Sequence, residues 1–381
     1  MCGNMCLLLL IPALLVCSYG GIVPRADAKQ RCAEPRRVSS GSGSQEDTYP
    51  SRVFTGYLAH SAKATMEVIF MAYSSWSMHT TGYPARFDFV IAGDPRSAGQ
   101  LEPLCRVVET NIEPDSLRQP GKLHECFFFP YPDRSHEQYG FFGINQAAFL
   151  LDEKIGSMLE QYDLVIKSDF DVFILPSLID FFPPPGTVVF GRQLFVLVSE
   201  VSEKIKNVAR DMGLTVRDGW KHNTGMTSYG PYPELRRVAE VMLSATRFML
   251  ENTFEQRPGG GPVLDYGGFP GWCLYVVAMY AQEIAANHVL EEFVVDPRMD
   301  AWSDLKVPAD DLLLVHCQQG AERFNKEVFF QTRYLDVDLS QLNTSVARDC
   351  VTFLAAGAFR SMLGEEPQRQ ANSHARSDGE L

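Results

Sequence analysis

The sequence predicts an α/β fold, a mostly parallel, Rossmann-like sheet flanked by helices in a single domain. Short apolar runs of strand length alternate with longer stretches of helical period. Those runs are largely apolar, as strands covered on both faces are. The third observation is bulk: 381 residues at 45% hydrophobic and 21% charged are ordinary globular values, enough to bury a sizeable core. No internal repeat suggests a solenoid instead.

The elements follow in order. Residues 53–57 read as the first strand, a helix is expected near 62–78, and residues 87–92 form the second strand. A helix near 99–108 precedes a strand at 126–129, and a helix from about 145 to 160 precedes a strand at 163–166. Ligands of such sheets bind beyond the carboxyl ends of the strands. No Gly-x-Gly-x-x-Gly follows the first strand and no Walker loop occurs, so phosphate must be held by other means than a glycine-rich helix start.

The flanks differ in character from the domain at 51–350. Residues 1–28 read as a signal peptide or N-terminal anchor, since the apolar run 7–16 is shorter than the roughly 20 residues a membrane span needs and lacks a basic leader. Residues 29–50, rich in Ser, Gly and Arg, read as a flexible stem, and 351–381 as a C-terminal helix and disordered tail. The last four residues, Asp378 to Leu381, only loosely resemble an endoplasmic-reticulum retention tail. Either leader directs the domain to the secretory lumen, in the Golgi or endoplasmic reticulum, or out of the cell.

The formal net charge of −13 excludes a general nucleic-acid binder, which needs clustered Lys and Arg to displace phosphate counterions. Of nine cysteines, Cys2, Cys6 and Cys17 lie in the leader; the remaining six, Cys32, Cys105, Cys126, Cys273, Cys317 and Cys350, permit disulfides and show no paired zinc spacing. Asn343-Thr344-Ser345 is an N-glycosylation sequon.

Chemistry concentrates after the strand at 163–166, in Lys167-Ser168-Asp169-Phe170-Asp171. Two carboxylates two residues apart point to one side of an extended chain, here the solvent-facing mouth of the sheet. Hard oxygen ligands of this kind suit Mg²⁺ or Mn²⁺, which neutralise a diphosphate leaving group. Lys167 is a candidate donor- or acceptor-binding cation beside them. The bland alternative is a pair of solvated aspartates at a strand end. His316, after the apolar run 312–315, is a candidate third ligand, the alternative being a strand-end histidine with a structural partner; a ring nitrogen favours Mn²⁺ over Mg²⁺.

The Asp-x-Asp, with Trp220 to Gly230, Leu313 to Gly320 and the downstream Lys326, resembles glycosyltransferases of the A fold over about residues 53–335, in a layout closest to the glycogenin-like retaining enzymes. The resemblance implies a nucleotide-sugar donor, a glycan, protein or small-molecule acceptor, and a cation held by Asp169, Asp171 and His316. It further implies that Asn223 bonds a sugar hydroxyl, that Gly225 lets backbone approach the ligand, and that Lys326 grips the diphosphate. The chain departs from that family after the His: Gly320 and Lys326 are more widely spaced, and Glu327-Val328 stands where the family has Pro-Trp.

Pro258 to Pro262 is the most glycine-dense stretch of the domain and reads as a mobile surface loop or an acceptor-site lid. Asp265, just beyond it, could orient an acceptor hydroxyl. Trp272 could stack on a sugar, or pack as core ahead of a helix at 273–286. Two other function classes compete. A non-catalytic sugar- or nucleotide-binding pseudoenzyme needs the same pocket without competent chemistry. A haloacid-dehalogenase-like phosphatase also uses Asp-x-Asp, but early in the chain and running into Gly-Thr-Leu-like residues, whereas Asp171 leads mid-chain into Val172-Phe173-Ile174. Serine hydrolase and zinc protease motifs are absent.

Overall fold

Strands β1 (Arg52–Leu58), β2 (Phe87–Gly93), β3 (Arg106–Val107), β4 (Cys126–Pro130) and β5 (Leu164–Lys167) run parallel and form one half of the large sheet. A small strand, β6 (Val172–Ile174), follows, and then β7 (Val188–Arg192), β8 (Thr224–Gly230) and β9 (Phe293–Asp296) complete the large sheet in the order β3-β4-β2-β1-β5-β8-β7-β9. Only β8 runs against its neighbours, pairing antiparallel with both β5 and β7. β10 (Ala301–Trp302) and β11 (Leu314–His316) join β6 in a second, three-stranded sheet. The computed structural model describes residues 49–80, 82–108, 117, 122–258, 260–263, 268–317, 324–326 and 336–362. The expected leader, nearly all of the stem, and the tail beyond Met362 lie outside these residues.

Helices cover both faces. α1 is a continuous run of Ala62–Glu67, a π-helical segment Val68–Tyr73, and Ser74–Thr80. It starts where the Ser61 hydroxyl accepts from the Ala64 amide at 2.9 Å. α2 (Glu153–Leu159) is capped by Asp152, and α3 (Ser199–Asp211), α4 (Tyr232–Asn252), α5 (Val277–Val289) and α6 (Ala347–Met362) follow. Alternate strand residues divide the core: Phe54, Phe89 and Ile166 pack with α1, α6 and the small sheet, whereas Val53, Val90 and Val165 pack with α4 and α5. Each such fully buried side chain contributes about 1.5–3 kcal/mol, which is why most positions on both faces of these strands are apolar. Among the described residues no helix is long and apolar enough to cross a membrane.

Two expected helices are corrected. The helix at 99–108 is cut to Ala98–Leu101, because Pro103 cannot continue it, and Arg106–Val107 leave as β3 beside Cys105, which is bridged to Cys126. The helix at 145–160 is broken into Asn145–Ala148, a 3-10 turn and α2, since Asp152 turns extended to cap the last. Cys350 is also disulfide-bonded, while Cys273 and Cys317 are buried thiols outside any disulfide.

Candidate metal centre

At the carboxyl end of β5 the chain crosses from the large sheet to the small one through Ser168 to Asp171. Phe170 is buried against Phe54 and Phe89, so its neighbours Asp169 and Asp171 are turned together away from the core. β11 runs antiparallel to β6 with His316 opposite Val172, and the Cys317 amide donates to the Asp171 carbonyl at 2.7 Å. That register sets the imidazole Nε2 3.0 Å from Asp171 Oδ1. One ligand atom from each of Asp169, Asp171 and His316 lies within 4.8 Å of the others.

Asp169 is half-buried, but Asp171 is only 7% exposed. The expected solvent-facing position therefore fails for Asp171, because it lies under Lys326, whose Nζ is 2.6 Å from Oδ2. The same ammonium is 3.8 Å from Glu67, the last α1 residue before the π segment.

Charge at this edge is unbalanced. Burial and the adjacent Asp171 raise Asp169 above the ordinary carboxylate range. Burial also opposes ionisation of Asp171, but His316 and Lys326 outweigh it and hold its carboxyl well below the usual range. Burial and Asp171 push Glu67 up to about 7, against the pull of Lys326. For His316, burial disfavours the cation, yet Asp171 and Asp300 raise it well above its ordinary value. A divalent ion would relieve the repulsion that Asp169 and Glu67 register, so the group fits a hard cation by charge as well as by ligand type.

The Nδ1 side of His316 is enclosed. Gln193 Nε2 lies 2.7 Å from it and Asp300 Oδ1 3.4 Å. Asp300 is fully buried, accepts from the Thr227 amide at 3.0 Å and from the Thr227 hydroxyl, and has the left-handed φ of 59°. A side chain at Gly191 or Gly225 would collide with its carboxylate, so these glycines on β7 and β8 make its room.

The other sequence-derived residues occupy varied places. Lys326 reaches the centre. Lys167 does so only from behind: it is buried, its Nζ donates to the Met226 carbonyl at 3.0 Å, and burial lowers its pKa. Asn223, at φ 66°, accepts on Oδ1 from the Phe195 and Val196 amides at 3.0 and 2.8 Å, and its own amide donates to the buried Glu283. Gly225 clears space for Asp300. Trp272 is stacked between Phe254 and Tyr280, with centroids 5.9 and 4.5 Å away, and donates to Thr253 Oγ1. Asp265 lies outside the described residues. Glu67, Gln193 and Asp300 were not among the sequence candidates. The only signal for Asp300 was an acid set just before a short strand; nothing marked the other two.

Fold and site together define an α/β protein with an Asp-Asp-His group at the carboxyl edge of a large, mostly parallel mixed sheet. No match to a curated protein is found. The chain belongs to the family described as Domain of unknown function (DUF7164), which matches residues 48–377.

Proposed function

We propose that the chain is a metal-dependent glycosyltransferase of the A-fold type, moving a sugar from a nucleotide-sugar donor to an acceptor hydroxyl on a glycan, protein or small molecule. The observation that carries this reading is the convergence of Asp169, Asp171 and His316, from two distant parts of the sequence, on one point at the strand ends. Two carboxylates and an imidazole suit Mn²⁺, with Mg²⁺ as the harder alternative. When bound, the cation would neutralise charge on the departing nucleoside diphosphate. Lys326, beside Asp171, offers a second positive charge to the same phosphates.

Retention of configuration follows from the resemblance to the glycogenin-like enzymes: the leaving phosphate takes the acceptor proton, and the protein positions the partners and compensates charge. Residence in the secretory lumen is part of the same proposal. It is supported by the apolar leader, the Cys105–Cys126 disulfide, and an exposed Asn343 whose Oδ1 is bonded, among the described residues, only within its own sequon.

The test is a panel of nucleotide sugars with the purified chain, in Mn²⁺ or in chelator, read by unfolding temperature and by hydrolysis or transfer. At least one donor is expected to stabilise the fold only with Mn²⁺, and Asp169→Asn to remove that effect. Mn²⁺-independent stabilisation, or none across the panel, would sink the reading. Stabilisation without turnover would leave a binding protein. An inverted product would replace retention and direct attention to Glu67 as base.

A further inference from the structure

The geometry points to Asp300, with Gln193, as a positioning pair that keeps a proton on Nδ1 of His316 and thereby turns the bare Nε2 toward a divalent cation. This inference rests on the cation site proposed above and assigns a role to residues that do not touch the ion.

An imidazole can donate a lone pair to a metal only from the nitrogen without hydrogen, so a ring that binds through Nε2 must carry its proton on Nδ1. Nε2 is the nitrogen that faces Asp171, at 3.0 Å. Nδ1–H then needs an acceptor in a buried place. Two groups lie there. Asp300 is acceptor-only when ionised, and its Oδ1 is 3.4 Å from Nδ1. Gln193 presents its amide at 2.7 Å, with Nε2 toward the ring, while its buried Oε1 has no hydrogen-bond partner among the described residues. A half-turn of that amide exchanges the two atoms and gives Nδ1–H a second acceptor.

The chain goes to some length to seat this carboxylate. Asp300 is fully buried, and among the described residues His316 is its only ion-pair partner. It adopts a left-handed backbone, and Gly191 and Gly225 are bare where it enters. Thr227 clamps it, its amide on Oδ2 and its hydroxyl on Oδ1, which fixes Oδ1 facing the ring with a lone pair still to offer. A fully buried acid that needs two bare glycines to make its room is costly to keep as mere filling. Orientation of a metal-binding His by a carboxylate explains all four features together.

The test is Mn²⁺ affinity, measured by paramagnetic resonance or calorimetry without donor, for the wild-type chain, Asp169→Asn, Asp300→Asn, Gln193→Leu, and the Asp300→Asn, Gln193→Glu double variant. Asp300→Asn is expected to weaken binding about 10- to 100-fold. Adding Gln193→Glu should restore most of it, because the new carboxylate can only accept; a purely structural role for Asp300 would not be rescued in this way. Undiminished affinity in Asp300→Asn, in a protein whose binding Asp169→Asn abolishes, overturns the positioning role and leaves the metal site standing. Absence of Mn²⁺ binding in the wild type removes both. Should Asp300→Asn fail to fold, Gln193→Leu decides: a several-fold loss of Mn²⁺ affinity supports the pair, and unchanged affinity overturns it.

Discussion

The two edges of the large sheet both bury charge, but they surround it differently. At the amino edge, the Arg52 guanidinium donates to the carbonyls of Leu178, Ile179 and Phe181 at 2.8–3.0 Å and lies over the rings of Phe182 and Tyr83 at 4.1 and 4.6 Å. Asp88 beside it is met by Arg86 at 2.5 Å, by the Tyr162 hydroxyl, and by the Glu125 amide at 2.9 Å. At the carboxyl edge, Asp169, Asp171, Glu67 and Asp300 gather around His316 and Lys326 with Lys167 behind, and Asp169 and Glu67 are still raised above the ordinary carboxylate range. An acid met by fixed donors holds a fold together; acids crowded on one another are where a cation would bind.

That contrast is most sharply tested by Asp169→Asn. Mn²⁺-dependent donor binding and turnover should be abolished, while the unfolding temperature of the metal-free protein rises by a few degrees, because a repelled carboxylate has been removed. A fall in metal-free stability would show that Asp169 is itself an acid met by fixed donors. At the other edge, Arg52→Met should lower stability by about 1–3 kcal/mol in denaturant titrations, since the Ile179 carbonyl loses its donor and those of Leu178 and Phe181 keep the Phe181 amide and the Tyr229 hydroxyl. The Mn²⁺ affinity of whatever remains folded should be unchanged.

A pH prediction concerns His79, which lies near Arg52, is buried, and has its Nε2 3.0 Å from the Ile174 carbonyl. Burial pushes its pKa down to about 4, against an ordinary 6.5. As pH falls below 6.5 the unfolded chain takes the proton and the folded one does not. Stability present above pH 6.5 should therefore be lost progressively toward pH 4, by about 3 kcal/mol. His79→Gln should flatten that slope in acid unfolding curves; an unchanged slope would assign it elsewhere.

The smallest effect is expected for Glu67→Gln. With its folded pKa near 7, raised by burial and Asp171, Glu67 favours folding at low pH and loses that contribution as pH rises from the unfolded value through 7. The variant should be more stable than wild type above pH 7, offset in part by the lost contact with Lys326.

Much of this molecule could be read from the chain itself. The parallel half of the sheet was legible because strands covered on both faces must be apolar in short runs. Asp169 and Asp171 stood out because two carboxylates two residues apart, at the end of an apolar strand, face one side of an extended chain. His316 was visible at the end of an apolar strand. The tertiary structure alone decided what surrounds them. It buried Asp171 under Lys326, brought Glu67 in from α1, placed Gln193 and Asp300 behind His316, and gave Gly225 the task of admitting a carboxylate rather than a ligand. Periodicity reports which way a side chain faces within its own element. Which charges meet there depends on how β6, β7, β8 and β11 pack, and that depends on contacts between residues far apart in sequence, to which local pattern is blind.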